Sequence, residues 1–166
     1  MPLPEPPAES PALTLALYQP DIPQNAGTML RTCACLGVDA AIIGPAGFPT
    51  TDRDFRRAGM DYLDQLVIDR HVSFSAFMDW RTGLATPRRL ILLTTKAEES
   101  YAACAYRPGD ILLMGRESAG VPEEVAAVAD LAIRIPMRPA ARSLNVAVAA
   151  AIVMSEALRQ IRPQAI

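Results

Sequence analysis

The apolar positions of this chain fall into short dense runs divided by turn-forming residues, and that pattern predicts strands alternating with helices. Leu13 to Tyr18, Ala40 to Ile43, Leu90 to Leu93, Ile111 to Met114 and Leu131 to Ile135 read as strands. Tyr62 to Ile68 reads as a further, more irregular one. Between them, Asn25 is a candidate N-cap for a helix whose Met29, Leu30, Cys33 and Leu36 share one face and which Gly37 ends. Thr51 or Asp52 caps a short helix through Ala58, and Ser73 to Trp80 buries Phe74, Phe77 and Met78. Pro122 to Val128 predicts a helix with proline at its first position and Glu123 and Glu124 in its first turn. The longest helix, Leu144 to Leu158 with Ser143 as its cap, is apolar nearly all round from Val146 to Val153. Such a helix needs cover on every side, so one face is expected to meet the core and the other a second subunit.

Strand and helix in alternation predict an α/β fold: an open, mostly parallel sheet with helices on both faces. In such sheets ligands bind beyond the carboxyl ends of the strands. Three loops stand there: Thr94 to Lys96, Gly115 to Gly120, and Pro136 to Asn145. Pro136 and Pro139 force the last of these out of both helix and sheet. A ligand-binding loop and an ordinary strand-to-helix connection are both open readings of it.

Composition narrows the class. A length of 166 residues fits one domain over residues 12–166, after a proline-rich stretch, residues 1–11, predicted to be a disordered tail. That stretch has neither the basic region nor the apolar core of a signal peptide, and no run of about 18 apolar residues predicts a membrane span. The cytoplasm is the expected compartment. Cys33, Cys35 and Cys104 lack metal-ligand spacing and His71 is the only histidine, so no metal is expected and His71 reads as a surface or structural residue. The net charge is −2, but arginines cluster locally: Arg53, Arg56 and Arg57; Arg88 and Arg89; Arg134, Arg138 and Arg142. Such patches can hold a phosphate backbone. The first three also fit a solvated helix face.

The glycine fingerprints of dinucleotide-binding folds and of P-loop nucleotidases are absent. What the chain has is Asn25-x-Gly27-x-x-x-Arg31 near its start, Gly115-x-Glu117-x-x-Gly120 after a late strand, and Ile133-Arg134-Ile135-Pro136-Met137 leading to Ser143-Leu144-Asn145. Each is weak alone. Together they resemble the three motifs of the SPOUT ribose 2′-O-methyltransferases, closest to the small TrmL-like (YibK) members. The likeness extends through LYQPDIPQNAG, FRRAGMDY, LTTK and SEALRQ, from Leu13 to Gln160.

The resemblance implies a C-terminal trefoil knot, a homodimer built on the first and last helices, and S-adenosylmethionine cradled by Leu93, Gly115, Ile135, Ser143, Leu144 and Asn145. It implies transfer of a methyl group to the ribose 2′-hydroxyl of the wobble cytidine or uridine in a tRNA anticodon stem-loop. It assigns the catalytic set to Arg31, Glu117 and Asn145. An arginine is too basic to be the resting proton acceptor. Arg31 is therefore expected to bind the adjacent phosphate and steady charge on the 2′ oxygen, with Glu117 orienting it. Arg53, Arg56, Arg57 and Arg138 are the candidates for RNA phosphate contacts. Ala147, Val148 and Ser155 depart from the family pattern, on the helix expected at the dimer face. Two alternatives carry different chemistry: a knotted RNA-binding dimer without catalysis, which the intact Arg31, Glu117 and Asn145 oppose, and a nucleotide-dependent oxidoreductase, which the missing glycine fingerprint opposes.

Overall fold

Five strands form where the apolar runs predict them, because each of those runs is long enough for one pass through a sheet covered on both sides. The computed structural model describes residues 11–162, so the tail expectation for residues 1–10 lies outside the described residues. Seven strands make one sheet: β1 Leu13–Tyr18, β2 Asp39–Ile43, β3 Ile68–His71, β4 Leu90–Leu93, β5 Glu99–Ser100, β6 Asp110–Met114 and β7 Leu131–Arg134. Their order is β3-β2-β1-β6-β4-β7-β5, and every neighbouring pair is parallel. The register sets Leu15 of β1 against Ala40 of β2 on one side and Leu112 of β6 on the other.

Helices cover both faces. On one face α1 (Pro23–Leu36), α2 (Asp52–Arg57) and α5 (Val146–Ile161) bury Met29, Leu30, Cys33, Phe55, Val153 and Met154 against Leu13, Leu15, Leu17 and Leu112. On the other, Phe77 of α3 (Phe74–Thr82) and Val125 of α4 (Glu123–Val128) meet Ala16, Ala41, Ile111 and Leu113. Side chains of β1 thus divide between two cores, as strand geometry requires.

Several element boundaries differ from expectation. Tyr62 to Ile68 is not a strand: Leu63–Gln65 forms a short 3₁₀ turn, and β3 begins only at Ile68. Buried Leu63 anchors that turn to the α1 face, while β3 pairs with β2 alone as an edge strand with a polar middle, Asp69 and Arg70. His71 is the last residue of β3 and packs on Phe77 and Trp80, with ring centroids 5.3 and 5.2 Å away. β5 is two polar residues long and carries no apolar signal. The N-cap of α1 is Ile22, because Pro23 presets the first helical turn; Asn25 lies inside that turn, with its side chain free for another partner. Pro122 stands at the N-cap of α4. The cap of α5 is Asn145 rather than Ser143: its Oδ1 accepts from the Ala147 and Val148 N–H groups at 2.9 and 3.3 Å. The Thr51 cap of α2 is a full capping box with Asp54, and Ser73 caps α3 by accepting from the Ala76 N–H.

In the chain by itself α5 is buried along one side only, through Ala147, Ala150, Val153, Met154, Ala157 and Leu158. Val148 on its other side is 49% exposed. Leu144 just before the helix, and Ile22 and Leu36 at the two ends of α1, are exposed too.

Candidate active site

The connection after β1 runs to β2 on one side of the sheet, and the connection after β6 runs to β7 on the other. Adjacent loops that part in this way leave a crevice above the carboxyl edge. A cavity of about 980 Å³ opens next to it, over the exits of β6, β4 and β7. Its walls are the exits of β4 (Leu92 to Ala97), β6 (Met114 to Glu117) and β7 (Ile135, Met137), and the segment Ser143 to Val146 that opens α5, with Asn25 reaching in from α1. The three loops picked out in the sequence do converge.

The β6 exit is shaped by glycine. The Arg116 and Gly120 backbones exchange two hydrogen bonds, 2.9 and 2.8 Å, closing a tight loop. A Cβ on Gly115 would stand 2.8 Å from the Gly120 backbone, and Gly120 has a left-handed φ of 63°. Main chain therefore lies bare at this wall. The β4 exit is pinned beside it by Thr94 N–H donating to the Ile133 carbonyl at 2.9 Å. Asn145 joins the far wall to α1: besides capping α5, its Nδ2 donates to Asn25 Oδ1 at 3.0 Å. The sequence offered Asn25 as a helix cap and as the first residue of a motif, and neither reading pairs it with Asn145.

Glu117 lines the cavity and is half-buried. Burial, reinforced by the carboxyl of Asp21, raises its pKa above the ordinary glutamate value. Its Oε2 accepts from the Asp21 backbone N–H at 3.4 Å, and its Oε1 is buried without a partner. Leu93, Gly115, Ile135, Ser143, Leu144 and Asn145, all expected at a cofactor, border this same cavity.

Arg31 does not line the cavity. It is exposed on α1, with its guanidinium 5.9 Å from the centre of the Tyr62 ring. Tyr62 in turn donates to the Gly27 carbonyl at 2.9 Å. Among the described residues Arg31 makes no ion pair, so within the single chain Glu117 is held by Asp21 and not engaged in orienting Arg31. Arg53, Arg56 and Arg57 are exposed on α2, with Arg56 paired to Asp64 at 2.9 Å; Arg138 is exposed after β7. Arg88 and Arg89 are no phosphate patch. Arg88 is 8% exposed and donates to Thr14 Oγ1 and the Gly109 carbonyl, and Arg89 is bound to Asp110. Asp110 is buried, and leaving its carboxylate unpaired there would be costly, which explains why Arg89 faces inward.

A parallel sheet whose strand exits and glycine loop open onto one cavity defines an α/β domain with a candidate ligand site at the carboxyl ends of its strands. The chain belongs to the SpoU rRNA Methylase family, which matches residues 12–155. It is 69% identical over 147 residues to a tRNA (cytidine(34)-2'-O)-methyltransferase of Beijerinckia indica, covering 89% of this chain and 91% of that one. A solved structure described as giving insights into the 2-OH methylation of C/U34 on tRNA superposes with a TM-score of 0.82 at 41% identity, over 92% of this chain and 97% of that one. The SpoU methyltransferase AviRb from Streptomyces viridochromogenes, in complex with the cofactor AdoMet, superposes with a TM-score of 0.80 at 28% identity, over 93% of this chain and 62% of that one.

Proposed function

We propose that this protein is an S-adenosylmethionine-dependent tRNA (cytidine(34)-2′-O)-methyltransferase that acts on the ribose of the wobble cytidine or uridine. The observation that carries the reading is the convergence of Glu117, Asn145 and Asn25 on a glycine-walled cavity at the carboxyl ends of β6, β4 and β7. The methyltransferase names of relatives that span almost the whole chain support it.

The cavity suits the cofactor. Its volume of about 980 Å³ is at the upper end for small-ligand sites. Leu93, Ile135 and Leu144 offer apolar cover for an adenine ring, and Gly115 and Ser143 offer bare or small surface to the rest. Bound there, S-adenosylmethionine would supply a methyl group activated by a sulfonium. The protein's work is then mostly positioning. Asn145 fixes the mouth of α5 against Asn25. Glu117 is the group suited to take the hydroxyl proton, because burial brings its carboxyl closer to working pH than a free glutamate. Arg31 binds the phosphate beside the reacting ribose and steadies the charge that develops on the 2′ oxygen. Arg53, Arg56, Arg57 and Arg138, all exposed, hold flanking phosphates of the anticodon stem-loop.

The same reading makes residues 12–166 one domain with a trefoil knot. Insertion of β7 between β4 and β5, followed by the return of α5 against α1, supports threading of the C-terminal segment. It makes the protein a homodimer, because Val148, Leu144, Leu36 and Ile22 leave an apolar surface on and beside α5 and α1. It places the protein in the cytoplasm with its tRNA; no helix among the described residues is long and apolar enough to cross a membrane.

The test is transfer of tritiated methyl from S-adenosylmethionine to tRNA lacking ribose methylation, with the product mapped by nucleotide. Label on the ribose of nucleotide 34 is expected. Cofactor binding with no transfer to any tRNA overturns the reading in favour of an RNA-binding dimer without catalysis. Binding of NADH in place of S-adenosylmethionine overturns it in favour of an oxidoreductase.

A further inference from the structure

Beside the cavity, at the switch point of the sheet, the loop after β1 meets the loop after β6 through polar side chains, of which the sequence motifs singled out Glu117 but gave Asp21 no role. Asp21 leads. Ser118 donates its hydroxyl to Asp21 Oδ2 at 2.6 Å, and the Asp21 N–H donates to Glu117 Oε2. Three atoms of this cluster are buried with no hydrogen-bond partner: Asp21 Oδ1, Glu117 Oε1 and Arg116 Nε. Two of them are carboxyl oxygens, one on each loop. Burying two acceptors side by side without a donor is costly. A proton held between the carboxyls removes that cost, as in other close carboxyl pairs.

The loop is built to put Asp21 there. Gln19 takes a positive φ of 41°, which a residue with a side chain adopts only when its surroundings hold it. Its N–H donates to the Ile43 carbonyl at 2.8 Å, and its Oε1 accepts from Arg116 at 3.3 Å. Pro20 accepts from the Gly47 N–H at 2.8 Å, and a Cβ on Gly47 would come within 3.0 Å of Asp21 Cα, so Gly47 lets the backbone of Asp21 sit close. Pro20 and Pro23 stiffen the turn from both sides.

From this geometry we propose that Asp21 is a positioning residue for the methyl transfer, acting on the proton-accepting carboxyl of Glu117 from the β1–α1 loop. Asp21 touches the reaction only through Glu117, and the proposal rests on the methyltransferase reading above. In the step concerned, the ribose O–H bond breaks as the new O–C bond forms and the C–S bond of the sulfonium breaks; the proton passes to Glu117, and a neutral thioether leaves. Glu117 must be ionised to accept. The bonds from Glu117 and Ser118 hold Asp21 below the usual aspartate value, so its negative charge persists beside Glu117 and raises the pH at which Glu117 ionises. The other charged groups around Glu117 are Arg116 on its own loop, Lys96 from the β4 exit and Glu123 at the start of α4.

Asp21→Asn keeps the shape and removes the charge. Glu117 then ionises at lower pH, and the acid limb of the methylation pH–rate profile moves down by about one unit, the ordinary scale of such environmental shifts. Turnover at the alkaline plateau and the KM for S-adenosylmethionine stay within about twofold, and Asp21→Glu returns the limb toward its original place. ¹³C-carboxyl NMR titration of the full chain reads the pair without catalysis. In the wild type the Glu117 signal is expected above the glutamate range and to follow the titration of Asp21; in Asp21→Asn it falls back. Independent, ordinary titrations in the wild type overturn the proposal even if Asp21→Asn does not fold. An unmoved acid limb in an active Asp21→Asn enzyme overturns it alone, whereas a wild type that binds cofactor and methylates no tRNA overturns the functional reading and this proposal with it.

Discussion

Asn145 does two jobs that substitution can separate. Its Oδ1 caps α5, and its Nδ2 reaches Asn25 across the cavity mouth. Asn145→Ala removes both. Loss of an N-cap costs about 1 kcal/mol, which for a chain of this size lowers Tm by roughly 2–4 °C. Asn145→Asp keeps the oxygen that accepts from the Ala147 and Val148 N–H groups. It also adds a negative charge at a helix N-terminus, favourable by roughly 0.3–1 kcal/mol, so its Tm should equal or exceed that of the wild type. Both variants lose the donor to Asn25, whose net worth of about 0.5–1.5 kcal/mol corresponds to roughly a 2–10-fold loss in affinity for S-adenosylmethionine. Calorimetric titration and thermal unfolding on the same preparations measure the two effects. Asn25→Ala should weaken cofactor binding by a similar factor, and the double variant little further, because the residues share one bond. An Asn145→Asp protein with full cofactor affinity would refute the role of the Asn25 contact, and an Asn145→Ala protein with unchanged Tm would refute the cap.

Other substitutions test separate parts. Gly115→Ala forces a Cβ against the Gly120 backbone, an overpacking that costs about 1–3 kcal/mol; cofactor binding should weaken by tenfold or more, and unaltered binding would mean the wall relaxes freely. Arg31→Lys keeps the charge but loses the planar fork, so turnover on tRNA should fall at least tenfold while S-adenosylmethionine binds normally; near-full turnover sinks the bidentate role. His71 packs among Phe77 and Trp80, and burial lowers its pKa below 6.5. The unfolded chain therefore takes up a proton near pH 6.5 that the folded chain resists, and stability drains away as pH falls from there toward the folded value. The loss in urea midpoint between pH 7 and pH 5.5 should be smaller in His71→Phe than in the wild type, and an equal loss would assign that drop to other groups.

Most of the sheet was legible because its inner strands are short apolar runs bounded by turn-forming residues, unlike the longer apolar run of α5. β3 and β5 were not, for one physical reason: edge strands satisfy half their backbone and face water, so Asp69-Arg70 and Glu99-Ser100 carry no hydrophobic mark. The cap of α5 slipped from Ser143 to Asn145 because both residue types cap well and only the fold decides which oxygen reaches the free N–H groups. The three cavity loops were readable from their place after strands. The partners Asn25 and Asp21 were not, because they meet Asn145 and the Glu117 loop across separations of 120 and 96 residues, and local pattern is blind to such distance. The signal present for Asp21 was its position between two prolines, which marks a rigid loop without saying what the loop holds.

The seat of β1 in the middle of the sheet has a consequence in time. One edge of Leu13–Tyr18 pairs with β2, made soon afterward, but the other pairs with β6, and Leu13 must wait for Asp110. At synthesis rates of about 5–20 residues per second the wait is roughly 5–20 s. Through that interval the nascent chain carries an unpaired apolar strand edge, the kind of surface that recruits other strands. Crowded ribosomes on one message would then bring identical open edges within reach of each other. The vulnerable period of this protein's life falls before its last third exists.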